Sequence, residues 1–222
     1  MSDLANKIKI GVRSGGSLQS RLAANEELRK QAPATAIELP NRIAIMIDLS
    51  GSMHGEPVQL LEKALQDFIA KSNQLTTAIA VVSFPGGIYA GFSNDKLVMW
   101  ALFNGLKAGG GTPMARAMQR CLDDPNISKM TRAIIISDGQ PDETPSAETQ
   151  RFKSRETPVD TIHIGRTTFG EDVLREISEA TGGLFIKFSD QTKFSQAFAY
   201  LLPETRANAA TLMLGAGAEE VR

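Results

Sequence analysis

The chain has 222 residues, 42% hydrophobic and 22% charged, which is enough for one sizeable core but not for a second domain of ordinary size. Its 24 basic and 25 acidic residues are mixed along the sequence and give a net charge of −1, so composition does not support nucleic-acid or membrane-surface binding. Because the sequence has a single cysteine and no signal-peptide or membrane-span pattern, we expect a cytoplasmic protein.

The first segment with a recognisable pattern lies in an N-terminal extension, residues 1–39. Residues 7–13 alternate between polar and apolar types like a half-buried strand, and residues 17–31 favour a helix. The alternation of strand-like and helix-like segments becomes stronger and more regular from residue 40 onward.

Five apolar runs after residue 40 predict strands, and segments with helical spacing separate them. The strand-like runs are residues 43–47, 78–84, 133–136, 159–164 and 183–188. Apolar side chains fall on one helical face in residues 58–69, 114–122 and 194–201. A further short strand, residues 87–92, follows Pro85 and two glycines, a turn pattern that favours an antiparallel hairpin edge.

Alternation of strands and helices predicts an α/β fold with a doubly wound, mostly parallel sheet and helices on both faces. Ligands of such sheets bind at the carboxyl ends of the strands, where the strand order reverses. Asp48 follows the first strand and Asp138 follows the strand at residues 133–136. If those two strands flank the reversal, the two aspartates become neighbours.

Five residues around these strand ends form a candidate divalent-cation site: Asp48, Ser50, Ser52, Thr112 and Asp138. Three hydroxyls and two carboxylates are hard oxygen donors, which suit Mg²⁺, Mn²⁺ or Ca²⁺ and disfavour zinc or copper. The hydroxyls leave coordination positions for water and one external group. If the aspartates act mostly through water, the ion stays electrophilic, and an acidic side chain from a partner would suit the open position.

Each part of this pattern has a structural alternative when it is taken alone. Thr112 before Pro113 is typical of a helix N-cap followed by proline at the first helical position. The run from Asp48 to Ser52 is also compatible with a strand-to-helix turn with capping serines. The joint occurrence of all five residues favours the cation site.

These residues resemble the metal-ion-dependent adhesion site of von Willebrand factor A (vWA) domains. The matching motifs are Asp48-Leu-Ser50-Gly-Ser52, Gly-Gly-Gly-Thr112-Pro and Ile-Ile-Ile-Ser-Asp138-Gly. The resemblance covers residues 40–202 and implies a six-stranded sheet of order 3-2-1-4-5-6 with strand 3 antiparallel. It also implies that the three hydroxyls bind the ion directly, while the aspartates act largely through water.

The subfamily indications point in two directions. The run Ser-Met-His-Gly-Glu-Pro after the first strand is similar to bacterial TerY-type members, which are associated with tellurite resistance and stress clusters. The run Gly-Gly-Gly-Thr-Pro is similar to the A domains of magnesium-chelatase D subunits.

The resemblance implies a non-enzymatic module that binds a protein partner through Mg²⁺, Mn²⁺ or Ca²⁺, with Asp or Glu of the partner on the ion. An alternative is a docking subunit of an ATPase or chelatase complex. A third is Mg²⁺-dependent phosphoryl transfer with Asp48 as nucleophile. That chemistry usually needs more carboxylates on the ion and a nearby lysine, and no lysine directly follows Asp138.

Other reactive residue types have structural interpretations. We expect His54 to be a solvated loop residue, His163 a structural histidine near a strand end, and Cys121 a packed thiol on a helix. Asp142 and Glu143 are interpreted as a polar loop beside the approach to the ion. In the tail, residues 203–222, an apolar stretch is a candidate to pair with the strand at residues 7–13, and disorder of both ends is the alternative.

Overall fold

The computed structural model describes residues 41–138, 140–164, 170–188 and 219–221, which belong to one compact unit, Leu39–Arg222. The predicted strand and helix at residues 7–13 and 17–31, and the predicted helix at residues 194–201, lie outside the described residues. The apolar stretch of the tail also lies outside them.

Seven strands are described, and six of them match strands predicted from the sequence. They are β1 (Asn41–Asp48), β2 (Thr77–Phe84), β3 (Tyr89–Ser93), β4 (Arg132–Ser137), β5 (Val159–Ile164), β6 (Phe185–Phe188) and β7 (Glu219–Val221). The described helices are a 3-10 turn (Gly51–Met53), α1 (Glu56–Lys71), α2 (Lys96–Leu102), α3 (Met114–Asp123), α4 (Ser146–Ser154) and α5 (Glu171–Thr181). No described helix is long and apolar enough to cross a membrane.

The strands form one sheet in the order β3-β2-β1-β4-β5-β6-β7. Strands β2, β1, β4, β5 and β6 are parallel, while β3 pairs antiparallel with β2. The expected order of six strands with an antiparallel third strand is therefore confirmed. The sheet continues into β7, a three-residue strand antiparallel to β6, which the sequence pattern did not predict.

Two apolar layers cover the two faces of the sheet, as the alternating side chains of parallel strands require. One layer joins α1 and α2 to residues such as Ile45 and Ile134. The other joins α3, α4 and α5 to the neighbours of those residues, Met46 and Ile135. Helices thus lie on both faces, and the loops between strands and helices are left to form the carboxyl edge.

Helix α3 begins later than the sequence suggested. Its N-cap position is Pro113, with φ −76° and ψ 63°, and no side chain caps the helix. Because Pro113 is not yet helical, the carbonyl oxygen of Thr112 instead accepts a hydrogen bond from Met114 N at 2.8 Å. The alternative that the Thr112 hydroxyl caps this helix is therefore wrong.

A buried ion pair lies at the amino ends of β4 and β5, away from the carboxyl edge. Arg132 Nε is 3.0 Å from Asp160 Oδ2, and Asp160 Oδ1 accepts a hydrogen bond from Leu184 N at 2.8 Å. Burial raises the pKa of Asp160 to about 6, although Arg132 and the Leu184 amide favour the charged form. The pair ties β4, β5 and the start of β6 together.

We predict that Asp160→Ala destabilises the protein by about 3–5 kcal/mol, because Arg132 stays buried without its counter-charge. Urea unfolding of the purified full chain measures this. The double change Asp160→Leu with Arg132→Met should recover a large part of the loss, because it removes both charges. A loss below about 1 kcal/mol in Asp160→Ala would contradict a structural role for the pair.

Candidate metal site

The first aspartate of the candidate site is held at the end of β1 in a fully buried position. Asp48 has 0% exposure, its Oδ1 accepts a hydrogen bond from Ser50 N at 2.8 Å, and its Oδ2 accepts one from Ser137 Oγ at 2.5 Å. Ile47 pairs with Ile136 in the register of β1 and β4, so Asp48 and Ser137 come next to each other on the same face. Both carboxylate oxygens therefore have fixed directions.

The serine loop, residues 49–53, carries two hydroxyls that connect toward the second aspartate. Ser50 Oγ is 3.0 Å from Ser52 Oγ, and Ser52 Oγ donates to Asp138 Oδ1 at 2.8 Å. Four of the five candidate residues are thus joined by a continuous set of short contacts across 90 positions of sequence. The convergence of Asp48 and Asp138 expected from the topology is present in the structure.

The glycine loop, residues 109–112, ends at the fifth candidate residue, Thr112, and is joined through its backbone to the serine loop. Gly109 N donates to Leu49 O at 2.7 Å, and Gly51 N donates to Gly110 O at 3.0 Å. These two bonds join the glycine loop to the serine loop directly. Thr112 follows at the end of the loop with 7% exposure.

Two glycines of this loop are required by close approach. Gly110 has φ +91°, and a Cβ there would lie 2.9 Å from Pro85 Cγ. A Cβ on Gly111 would lie 2.6 Å from Asp142 Oδ2. A larger residue at position 110 would also be strained by the positive φ, and one at position 111 would displace the Asp142 carboxylate that accepts the hydrogen bond from Thr112 N.

Asp142 fixes the end of the glycine loop from the other side. Its Oδ2 accepts a hydrogen bond from Thr112 N at 2.9 Å, and its own amide donates to Thr112 O at 3.0 Å. From the sequence, Asp142 was predicted only as part of a polar loop beside the approach to the ion, because nothing in its local pattern reveals a partner 30 positions away. Ser137 was also missed, although it directly precedes Asp138.

The two carboxylates are electrostatically unfavourable in the absence of a cation. Burial raises the pKa of Asp48 above its ordinary value, hydrogen bonds from Ser137 and Ser50 oppose the rise, and the nearby charge of Asp138 adds to it. Burial also raises the pKa of Asp138, against the lowering by Ser52. A divalent cation beside both groups would stabilise their charged forms and compete with protons.

The donor set fits a small hard cation. Two ligands at adjacent corners of an octahedron with Mg–O distances of about 2.1 Å lie roughly 3 Å apart. The 3.0 Å between Ser50 Oγ and Ser52 Oγ matches that spacing. Among the residues that the structure describes, no group of three or more His, Cys, Asp or Glu gathers as a metal site.

The remaining reactive residues lie where the sequence suggested. His54 is exposed, and His163 is fully buried within β5. Cys121 is buried on α3, and burial raises the pKa of its thiol to about 12, so the reactive thiolate is scarce at neutral pH.

A model of the von Willebrand factor type A domain matches residues 43–199. The chain belongs to the von Willebrand factor type A domain family. No curated protein matches it significantly. Domains of this family mediate protein–protein interactions and often bind a divalent metal.

Solved structures show the same fold at low identity. The von Willebrand factor type A protein from Catenulispora acidiphila is 23% identical, with a TM-score of 0.61, over 77% of this chain and 43% of its own. The ArnB paralog VWA2 from Sulfolobus acidocaldarius is 17% identical, with a TM-score of 0.55, over 75% and 46%. BatB from Bacteroides thetaiotaomicron is 12% identical, with a TM-score of 0.60, over 77% and 99%. The chain thus spans less than half the length of the first two.

We predict that Asp48→Asn stabilises the metal-free vWA domain at neutral pH. The folded-state pKa of Asp48 is raised, so its charge costs the folded state stability above that pKa, and the cost disappears as the pH falls toward the ordinary carboxyl range. In chelator, the wild type should therefore approach Asp48→Asn in stability on going from pH 7 to pH 4.5. Urea unfolding measures both.

Glu176→Gln is the matched control, because this exposed carboxylate on α5 lies away from the site. A stability difference between wild type and Asp48→Asn that does not change with pH would contradict the assigned cause.

Proposed function

We propose that this vWA domain binds a protein partner through a divalent cation held by Ser50, Ser52 and Thr112, with Asp48 and Asp138 behind it. The observation that carries the proposal is the pair of serine hydroxyls 3.0 Å apart between two buried or half-buried carboxylates. The arrangement supports a metal-ion-dependent adhesion site. An Asp or Glu of the partner completes the coordination of Mg²⁺, Mn²⁺ or Ca²⁺.

Both oxygens of Asp48 already accept hydrogen bonds from the protein, which favours its contact with the ion through water rather than directly. The hydroxyl ligands are neutral, so the ion keeps most of its positive charge toward the open position. A carboxylate from outside gains from that charge more than a neutral ligand does. The metal contact sets orientation, and the surrounding loops supply the remaining contact area.

We propose two classes of partner. Similarity to TerY-type members supports a partner in a bacterial stress or tellurite-resistance system. Similarity to chelatase D subunits supports a docking role beside an ATPase, with the same metal chemistry. The cytoplasmic location remains a prediction from the sequence.

A non-enzymatic role is favoured over phosphoryl transfer because Asp48 has no exposed surface from which to attack phosphorus. Its two oxygens also point at Ser50 N and Ser137 Oγ. A nucleophile needs a lone pair aligned with the reacting atom at about 3–3.5 Å.

We predict that Mg²⁺ at a hundredfold excess over its Kd stabilises the wild type by about 2.7 kcal/mol against unfolding. Calorimetric titration gives the Kd, and thermal unfolding with and without chelator gives the stabilisation. Thr112→Ala and Asp138→Ala should each weaken Mg²⁺ binding at least about tenfold, because each change removes either one metal ligand or a group that holds a ligand in place. Their circular dichroism should stay that of the wild type, because both side chains lie at the rim of the sheet.

Thr149→Ala is the matched control for Thr112→Ala, because Thr149 is equally buried but lies on α4, where its hydroxyl donates to Pro145 O. Unchanged Mg²⁺ affinity in both site variants would refute the metal site.

We predict that incubation with acetyl phosphate and Mg²⁺ leaves the intact mass of the protein unchanged. The buried, hydrogen-bonded Asp48 carboxylate is not positioned as a nucleophile. Mass spectrometry under non-hydrolysing conditions measures this. A stoichiometric phosphoryl adduct that disappears in Asp48→Asn would replace the binding proposal with the catalytic one.

A further inference from the structure

Two surface hollows of similar size and different character adjoin the loops of the proposed metal site. The apolar hollow has a volume of about 330 Å³, and the acidic hollow about 310 Å³. The apolar hollow is lined mainly by His54, Val58, Leu106, Lys107 and Ala108. The acidic hollow is lined by Pro85, Gly111, Pro113, Arg116, Asp142 and Glu143.

The hollows lie on opposite sides of the glycine loop. Val58, Leu106 and Ala108 belong to the apolar layer of α1 and α2, whereas Pro113 leads into α3, which covers the other face of the sheet. Ala108 and Gly111 line different hollows and are three residues apart, a span of at most roughly 11 Å. One extended segment of about five residues can reach both, because each residue of a strand advances about 3.3 Å.

The walls of both hollows are held in place by hydrogen bonds. On the apolar side, Leu106 N donates to Glu62 Oε2 at 3.1 Å, and Gly109 N donates to Leu49 O at 2.7 Å. On the acidic side, Asp142 is fixed by its two hydrogen bonds with Thr112. The hollows are therefore formed by residues held in place next to the loops that carry the proposed metal ligands.

The charges on the two sides are opposite. Asp142 and Glu143 contribute two carboxylates to the acidic hollow, and Arg116 is the one cation among its described lining residues, with an exposed contact of 3.8 Å to Glu143. Exposed pairs of that length contribute little. The described lining residues of the apolar hollow include the cation Lys107 and no carboxylate.

On the basis of the proposed function, we propose that the partner segment carries a basic residue on one side of its metal-binding acidic residue and an apolar residue on the other. The basic side chain occupies the acidic hollow beside Asp142 and Glu143. The apolar side chain occupies the hollow formed by Val58, Leu106 and Ala108. The metal contact supplies the anchor, and the two hollows set the direction in which the segment crosses it.

The test uses fluorescently labelled pentapeptides in Mg²⁺, with Kd from anisotropy. The two mixed probes are Lys-Gly-Asp-Gly-Leu and its reverse, and the reference probes carry Gly or Glu at both flanks. One of the two mixed probes should bind about five- to tenfold tighter than the Gly-flanked probe, from partial burial of one Leu and one exposed charge contact. The Glu-flanked probe should bind more weakly than the mixed one.

Two variants test separately whether the Lys flank binds the acidic hollow and the Leu flank binds the apolar hollow. Glu143→Lys should remove the gain from the Lys flank, and Leu106→Asn should remove the gain from the Leu flank. Their matched controls are Glu176→Lys on α5 and Leu97→Asn on α2, where Leu97 is 81% exposed. Probe binding is compared at Mg²⁺ concentrations that saturate each variant, because none of the four carries a metal ligand but the charge reversal at Glu143 weakens the attraction for the cation.

Three outcomes are distinguishable. A mixed-probe preference that Glu143→Lys and Leu106→Asn remove, and that the controls keep, supports the inference. Mg²⁺-dependent binding of all probes with equal affinity overturns the inference and leaves the proposed function standing. Absence of Mg²⁺-dependent binding for every probe contradicts both.

Discussion

Two backbone hydrogen bonds hold the candidate site together: Gly109 N to Leu49 O and Gly51 N to Gly110 O. They join the loop after β1 to the loop before α3, which are about 60 residues apart in the sequence. Because these bonds are between main-chain groups, the loop spacing depends on how closely the backbones approach, not on particular side chains. The glycines at positions 110 and 111 permit a second close approach, that of the glycine loop to Pro85 and Asp142.

The charged forms of Asp48 and Asp138 lower the stability of the folded protein, and a bound cation would offset this cost. Asp48 and Asp138 both have pKa values raised by burial, and each charge also raises the energy of the other. The two apolar layers that cover the sheet stabilise the fold and offset this local cost. Hydroxyl ligands then keep the charge of the ion available to a partner. The charges of Asp48 and Asp138 therefore lower the stability of the metal-free protein but favour the binding of a cation.

The fold and the convergence of Asp48 with Asp138 were predictable because strand ends and parallel topology determine them. The role of Ser137 was not predictable. Its side chain points to the opposite face of the sheet from the residues next to it in the chain, and only the register of β1 and β4 brings it to Asp48. The role of Asp142 could not be predicted either, because it depends on a tertiary contact with Thr112. Strand β7 has three residues, too few for a period-two pattern. The hollows arise from residues of separate loops, which no local pattern connects.

The most direct measurement of the central claim is paramagnetic broadening of backbone amide signals by substoichiometric Mn²⁺ in a ¹⁵N-labelled sample. If the serine loop, the glycine loop and the end of β4 share one ion, the amides of residues 50–52, 110–112 and 138 broaden first and together. Excess Mg²⁺ should restore them. Broadening that begins elsewhere, or that affects only one of the three segments, would contradict the account.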